Sequence, residues 1–158
     1  THLEVRRADL LAKIEECMAS ASATHAQAYA LRQAVDISRM PLAVIVQKMI
    51  HPDAAGVAFS VDPVSGERTK AVIEAVSGQG SPLVDGSVTP DTYWADKESG
   101  EVLSKRSDSG DILSETQIGT ILEYVCKLEK HFRLPQDMEW AYLDGVCWVL
   151  QSRPVTAL

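Results

Sequence analysis

Hydrophobic and polar positions divide this chain into two textures. From about Ala8 to Ala34, Leu11, Ile14, Met18 and Ala21 recur at helical spacing among charged residues, which predicts an amphipathic helix. Thr24 followed by Gln27 has the form of a capping box, so a second helix carrying Tyr29 and Leu31 is expected there. Pro41 ends that region. The run from Leu42 to Ile50 is rich in β-branched residues and reads as a strand buried on both faces. A second strand is expected over Gly56–Val61, followed by turn chemistry at Asp62-Pro63-Val64-Ser65-Gly66. Lys70–Val76 reads as a third strand with Ile73 and Glu74 at its centre, and Gly78–Gly86 as a loop. Thr92–Asp96 and Glu101–Lys105 flank Ser99-Gly100 as a hairpin. Ser114 with Gln117 opens a helix whose apolar face is Ile118, Ile121, Leu122, Val125 and Leu128, and Pro135 marks its exit. Two last strands, Asp137–Tyr142 and Val146–Gln151, join around Asp144-Gly145. Helices followed by hairpin-linked strands predict an α+β fold with a largely antiparallel sheet and flanking helices.

Composition narrows the class without naming a reaction. A 46% hydrophobic share in 158 residues supports one domain with a substantial core. The net charge of −7, with no basic block, argues against nucleic acid and against an anionic membrane surface. Cys17, Cys126 and Cys147 show neither zinc spacing nor a disulfide framework, so they read as reduced thiols of a cytoplasmic protein. No run approaches the ~18 apolar residues of a membrane span. The chain opens on a helix-like pattern at Thr1 and stops just after an apolar strand, so it is expected to be a piece of a larger protein.

The closing hairpin holds the most informative chemistry. Strand side chains alternate, so Asp137 and Glu139 share one face, as do Gln151 and Arg153 on the partner strand. Whether the two faces coincide depends on the turn. A two-residue Asp144-Gly145 loop sets Glu139 opposite Leu150 and separates Glu139 from Gln151. A three-residue Leu143-Asp144-Gly145 loop with a glycine bulge brings them to one face. The functional reading requires the bulged turn. A carboxylate, a carboxamide oxygen and a guanidinium would then converge, a set suited to magnesium and phosphate, though a polar hairpin face also needs no functional explanation.

Gln136-Asp137-Met138-Glu139-Trp140-Ala141 and Leu150-Gln151-Ser152-Arg153-Pro154-Val155-Thr156 resemble the end of the nucleotide-binding domain of the phosphoenolpyruvate synthase and pyruvate, phosphate dikinase family, which includes rifampin phosphotransferase. Val46–Met49, Gly56–Gly66 and Asp85–Asp91 support the resemblance in family order across nearly the whole chain. It implies that residues 1–158 are the C-terminal part of an ATP-grasp domain binding ATP and magnesium. Glu139 and Gln151 resemble the metal ligands, and Arg153 the arginine that contacts the phosphates. Gln47, Lys48 and Met49 resemble the strand that meets the adenine, and Thr1 a threonine placed near the phosphates.

Other polar groups carry less. Ser77-Gly78-Gln79-Gly80-Ser81 lacks the ending of a P-loop, and Gln79 departs from the Gly-Leu-Gly of the family. His2, His25, His51 and His131 share no ligand spacing, and His131 suits the last turn of a helix. Trp140 and Trp148 read as core. Asp137 either supports Glu139 or is solvated.

By resemblance, the parent would move the β-phosphoryl group of ATP to a histidine on a swivelling domain and then to pyruvate or another acceptor. The N-terminal ATP-grasp lobe and the phosphohistidine domain are the implied partners. A non-catalytic nucleotide-binding or protein-interaction module is the alternative.

Overall fold

The computed structural model describes residues 1–20, 43–84, 86–107 and 110–156. The chain forms two compact units, Thr1–Met49 and Ile50–Leu158. In the first, a 3-10 turn at Arg7–Asp9 leads into α1, Leu10–Ser20. Ile14 is half-buried there, but Leu11 and Met18 stand largely exposed, so the amphipathic face is only partly covered. The expected Thr24–Gln27 cap, with Tyr29 and Leu31, falls outside the described residues.

One expectation fails in this unit. Residues 43–49 form no strand, and Ile45 and Val46 are exposed. β-branched composition measures fit to pleated neighbours rather than an intrinsic preference. Among the described residues every strand of the sheet comes from Ala54 onward, and none of its ladders includes this run.

The second unit is built on β1 (Ala54–Phe59), β2 (Lys70–Ser77), β3 (Asp91–Asp96), β4 (Val102–Arg106), β5 (Gln136–Leu143) and β6 (Val146–Pro154). All neighbours pair antiparallel in the order β4-β3-β2-β1-β5-β6. A short helix, α2 (Ser81–Val84), occupies part of the expected Gly78–Gly86 loop. The long helix α3, Glu115–Phe132, starts where the sequence places it. The Ser114 hydroxyl accepts from Gln117 N–H, and the Gln117 side chain accepts from Ser114 N–H, closing the capping box.

The two faces of the sheet differ. Ala58, Ile73, Tyr93, Met138, Trp140 and Tyr142 lie on the face covered by α3, packed against Ile118, Ile121, Leu122 and Val125. Two polar devices brace this core. Lys97 Nζ donates to Ser60 O at 2.8 Å and Arg68 O at 3.0 Å, and pairs with Glu129 of α3. Asp91 Oδ2 accepts from Tyr93 Oη and from Ile112 N, while Tyr93 Oη accepts from Leu113 N, so the link into α3 is fixed on β3. Several polar residues of the family-like segments are therefore structural. Asp62 caps its own turn by accepting from Val64 N and Ser65 N. Buried Gln136 accepts from Ser152 Oγ at 2.8 Å, joining β5 to β6. The hairpin residues of interest lie on the opposite face of the sheet.

Candidate functional site

The closing turn differs from the one the functional reading required. Asp144 and Gly145 both have positive φ, 50° and 75°, and Leu143 pairs with Val146. This is the two-residue loop, whose left-handed pair matches the twist of the strands. With a regular ladder it would separate Glu139 from Gln151.

The ladder is not regular. Trp140 pairs with Val149 while Glu139 pairs with Gln151, so Leu150 is an extra residue on β6. This β-bulge restores the phase that the turn removed. Leu150 is half-buried against the Ile50, Ala55 and Ala141 cluster, which gives the bulge an apolar anchor. Beyond it Glu139 faces Gln151, and Asp137 faces Arg153. The convergence expected from the sequence exists, but an intrastrand bulge produces it, not the turn.

Residues directly opposite in a ladder share a face, so the registers extend this site across the sheet. Glu139 pairs with Val57, Val57 with Glu74, Glu74 with Thr92, and Thr92 with Arg106. The next row carries Arg153, Asp137, Phe59, Val72 and Trp94. Arg153 Nε donates to Asp137 Oδ2 at 2.8 Å. Asp137 is buried while Arg153 stays largely exposed. That bond, with the Asp137 and Glu139 charges, holds Arg153 even more firmly protonated than usual. Asp137 thus serves Arg153, and the guanidinium keeps donors to offer outward.

Glu74 is the residue that the sequence reading passed over. On its face of β2 the neighbours Val72 and Val76 are buried and apolar, so a carboxylate interrupts a hydrophobic row. Burial pushes the Glu74 carboxyl up, the Arg106 charge opposes this, and Asp137 adds to it. The sign for stability follows. Neutral Glu74 is favoured by the fold, so its contribution is full below the ordinary carboxyl pKa of 4.5 and is lost as pH rises through the higher folded value. Glu74→Gln is therefore expected to raise Tm at pH 7.5 by about 2–4 °C, the shift that about 1 kcal/mol brings in a chain of this size. At pH 4 the gain should vanish. Thermal melts at the two pH values check this.

The remaining expected residues fall elsewhere. Thr1, Gln47 and Lys48 are exposed and Met49 is half-buried, all in the first unit and outside any strand. Trp140 is fully buried as expected, whereas Trp148 is 36% exposed and sits on the site face opposite Ala141. Edge position on β6 explains the difference. Burial pushes the Cys147 thiol up to about 11 and raises that of Cys126, so neither is a ready thiolate at neutral pH. Among the described residues no helix is long and apolar enough to cross a membrane. Among them, too, no group of three or more His, Cys, Asp or Glu side chains could hold a metal.

The chain matches the family model described as the pyruvate phosphate dikinase AMP/ATP-binding domain over residues 1–112 and 104–158. It is 36% identical to a probable phosphoenolpyruvate synthase of Methanothermobacter thermautotrophicus, across the whole of this chain and 26% of that protein. It is 33% identical to a phosphoenolpyruvate synthase of Pyrococcus furiosus, across the whole chain and 23% of that protein. A rifampicin phosphotransferase of Streptomyces sviceus is 32% identical, over 96% of this chain and 20% of that protein. The chain thus spans about a quarter or less of the curated relatives it matches. It belongs to the pyruvate phosphate dikinase AMP/ATP-binding family.

Proposed function

We propose that the face of this sheet opposite α3 is one wall of an ATP site in a larger phosphotransferase, and that the fold is the C-terminal lobe of an ATP-grasp domain. The observation that carries this is the direct pairing of Glu139 with Gln151 beside Arg153, made possible by the bulge at Leu150.

The donor chemistry suits magnesium. Glu139 offers a carboxylate and Gln151 a carboxamide oxygen, with α-carbons about 5 Å apart across the ladder. Magnesium needs only one or two protein oxygens when phosphates and water complete its shell, so the lack of a three-residue cluster among the described residues does not conflict. When bound, the ion would neutralise phosphate charge and so ease phosphoryl transfer. The chain itself positions. β5 and β6 fix Glu139 and Gln151 on one face, and Asp137 holds Arg153 so that its outward N–H groups reach phosphate oxygens. Arg153 contributes electrostatic stabilisation and moves no proton.

In the same reading Gln47, Lys48 and Met49 border the adenine and Thr1 lies near the phosphates. The partners are an N-terminal ATP-grasp lobe and a phosphohistidine domain of the parent, and the β-phosphoryl group passes by way of that histidine to pyruvate or another acceptor. The relatives named phosphoenolpyruvate synthase and rifampicin phosphotransferase support a phosphotransferase. Calorimetric titration of the full-length protein with ATP tests the reading. Binding should require magnesium and depend on Glu139. Magnesium-independent affinity that Glu139→Ala leaves unchanged would sink it.

A further inference from the structure

The metal reading uses β5 and β6 and leaves the polar residues of β2, β3 and β4 unassigned. Those residues form a connected set. Arg106 Nη2 donates to Thr92 Oγ1 at 3.2 Å, and Thr92 is 2% exposed, so its hydroxyl is a fixed anchor. Glu74 stands opposite Thr92 in the β2–β3 ladder and interacts electrostatically with Arg106. Among the described residues no carboxylate forms an ion pair with Arg106, whereas Arg6, Lys105 and Arg153 each hold one. Arg106 is exposed and lies on the same face as Glu139.

Distance separates the two halves. Arg106 lies four strand spacings from Glu139, about 19 Å at the backbone. A guanidinium there does not share a phosphate with the metal pair. It also closes β4 at the link where the two family-matched spans, 1–112 and 104–158, overlap.

We propose that Arg106, positioned by Thr92 and Glu74, forms a second oxyanion subsite on the sheet face opposite α3, taking a phosphate group distinct from those held at Glu139, Gln151 and Arg153. It rests on the nucleotide reading only for the class of anion. A planar guanidinium braced on one side by a buried hydroxyl keeps its other donors aligned for phosphate oxygens. The charged groups facing Glu74 are Arg106 from β4 and Asp137 from β5, and its ladder neighbours Val57 and Thr92 are uncharged. Protonated Glu74 removes a repulsive charge from beside the anion, so phosphate binding weakens as Glu74 ionises.

The experiment is calorimetric titration of the full-length protein with inorganic phosphate, and separately with Mg-ATP. Arg106→Leu should weaken phosphate binding at least about tenfold and leave Mg-ATP within about twofold, with Arg106→Lys intermediate. Glu74→Gln should remove the part of the pH dependence of phosphate binding between pH 5 and 8 that exceeds the ionisation of phosphate itself, which a merely structural role would not do. If saturating Mg-ATP leaves phosphate binding intact, the subsite serves free phosphate. If Mg-ATP displaces phosphate from the wild type, the phosphate sits in the nucleotide site and the separate subsite is overturned. Phosphate binding that is absent from the wild type, or identical in Arg106→Leu, overturns the proposal. Glu139→Ala separates the two ideas, because it should weaken Mg-ATP binding about 100-fold while phosphate binding stays unchanged.

Discussion

Replacing Glu139 by alanine is expected to weaken Mg-ATP binding about 100-fold, close to 2.7 kcal/mol, with little change in folding. Glu139 is the only carboxylate directly opposite Gln151, so its loss leaves the carboxamide as the one protein ligand in the pair. The neighbouring Asp137 is already committed to Arg153 through the 2.8 Å bond and is buried beneath it. It cannot turn to the metal without releasing the arginine. Glu139 is half-buried and is not one of the buried residues of the core, so the variant should melt within about 0.5 kcal/mol of the wild type. Affinity for AMP, which lacks the bridging phosphates, should change far less. Calorimetry with both nucleotides, alongside a thermal melt, separates a lost ligand from a damaged fold.

The largest effect on stability is expected from Gly56→Ala. Gly56 sits in β1 between Ala75 and Trp140, on the face that packs under α3. A Cβ added there would lie 1.8 Å from the Glu74 carbonyl oxygen and 2.8 Å from Trp140 Cζ2. The carbonyl belongs to a central strand and cannot withdraw without breaking ladder bonds, and Trp140 is fully buried. Overpacking of this severity should cost about 3 kcal/mol or more, lowering Tm by at least about 6 °C. The damage should reach function as well. β1 joins β2, which carries Glu74, to β5, which carries Glu139, so displacing it disturbs the spacing of both halves of the site. Circular-dichroism melts measure the first effect, and Mg-ATP titration below the melting transition measures the second.

Much of this architecture is legible from residues acting locally. The capping box at Ser114 and Gln117 and the apolar face of α3 are determined within a few positions and appear where expected, while the turn falls at Asp144-Gly145 as the two-residue loop rather than the bulged one that the functional reading required. What escaped depends on neighbours far along the chain. Val44-Ile45-Val46 has strand composition but no strand, because pairing is a property of two segments. The bulge at Leu150 is invisible to alternation, which assumes a period of two throughout, and it reverses the consequence of a correctly placed turn. Glu74 had a local signal, a lone carboxylate within Ala71-Val72-Ile73 and Ala75-Val76. Its relation to Glu139 appears only once β1 is known to lie between β2 and β5. Arg106 required two further registers.

The hairpin was the place where sequence and resemblance met, and the structure changed how it works. Glu139, Gln151 and Arg153 do share a face, with Leu150 rather than Gly145 as the residue responsible. The central claim is that Glu139 and Gln151 act on one bound ion. A double-mutant cycle of Glu139→Gln and Gln151→Ala, read as Mg-ATP affinity, tests it most directly. Two ligands of the same ion should give non-additive losses, with a coupling of about 1 kcal/mol or more. Strictly additive losses, or no loss in either single variant, would contradict a shared metal at this pair.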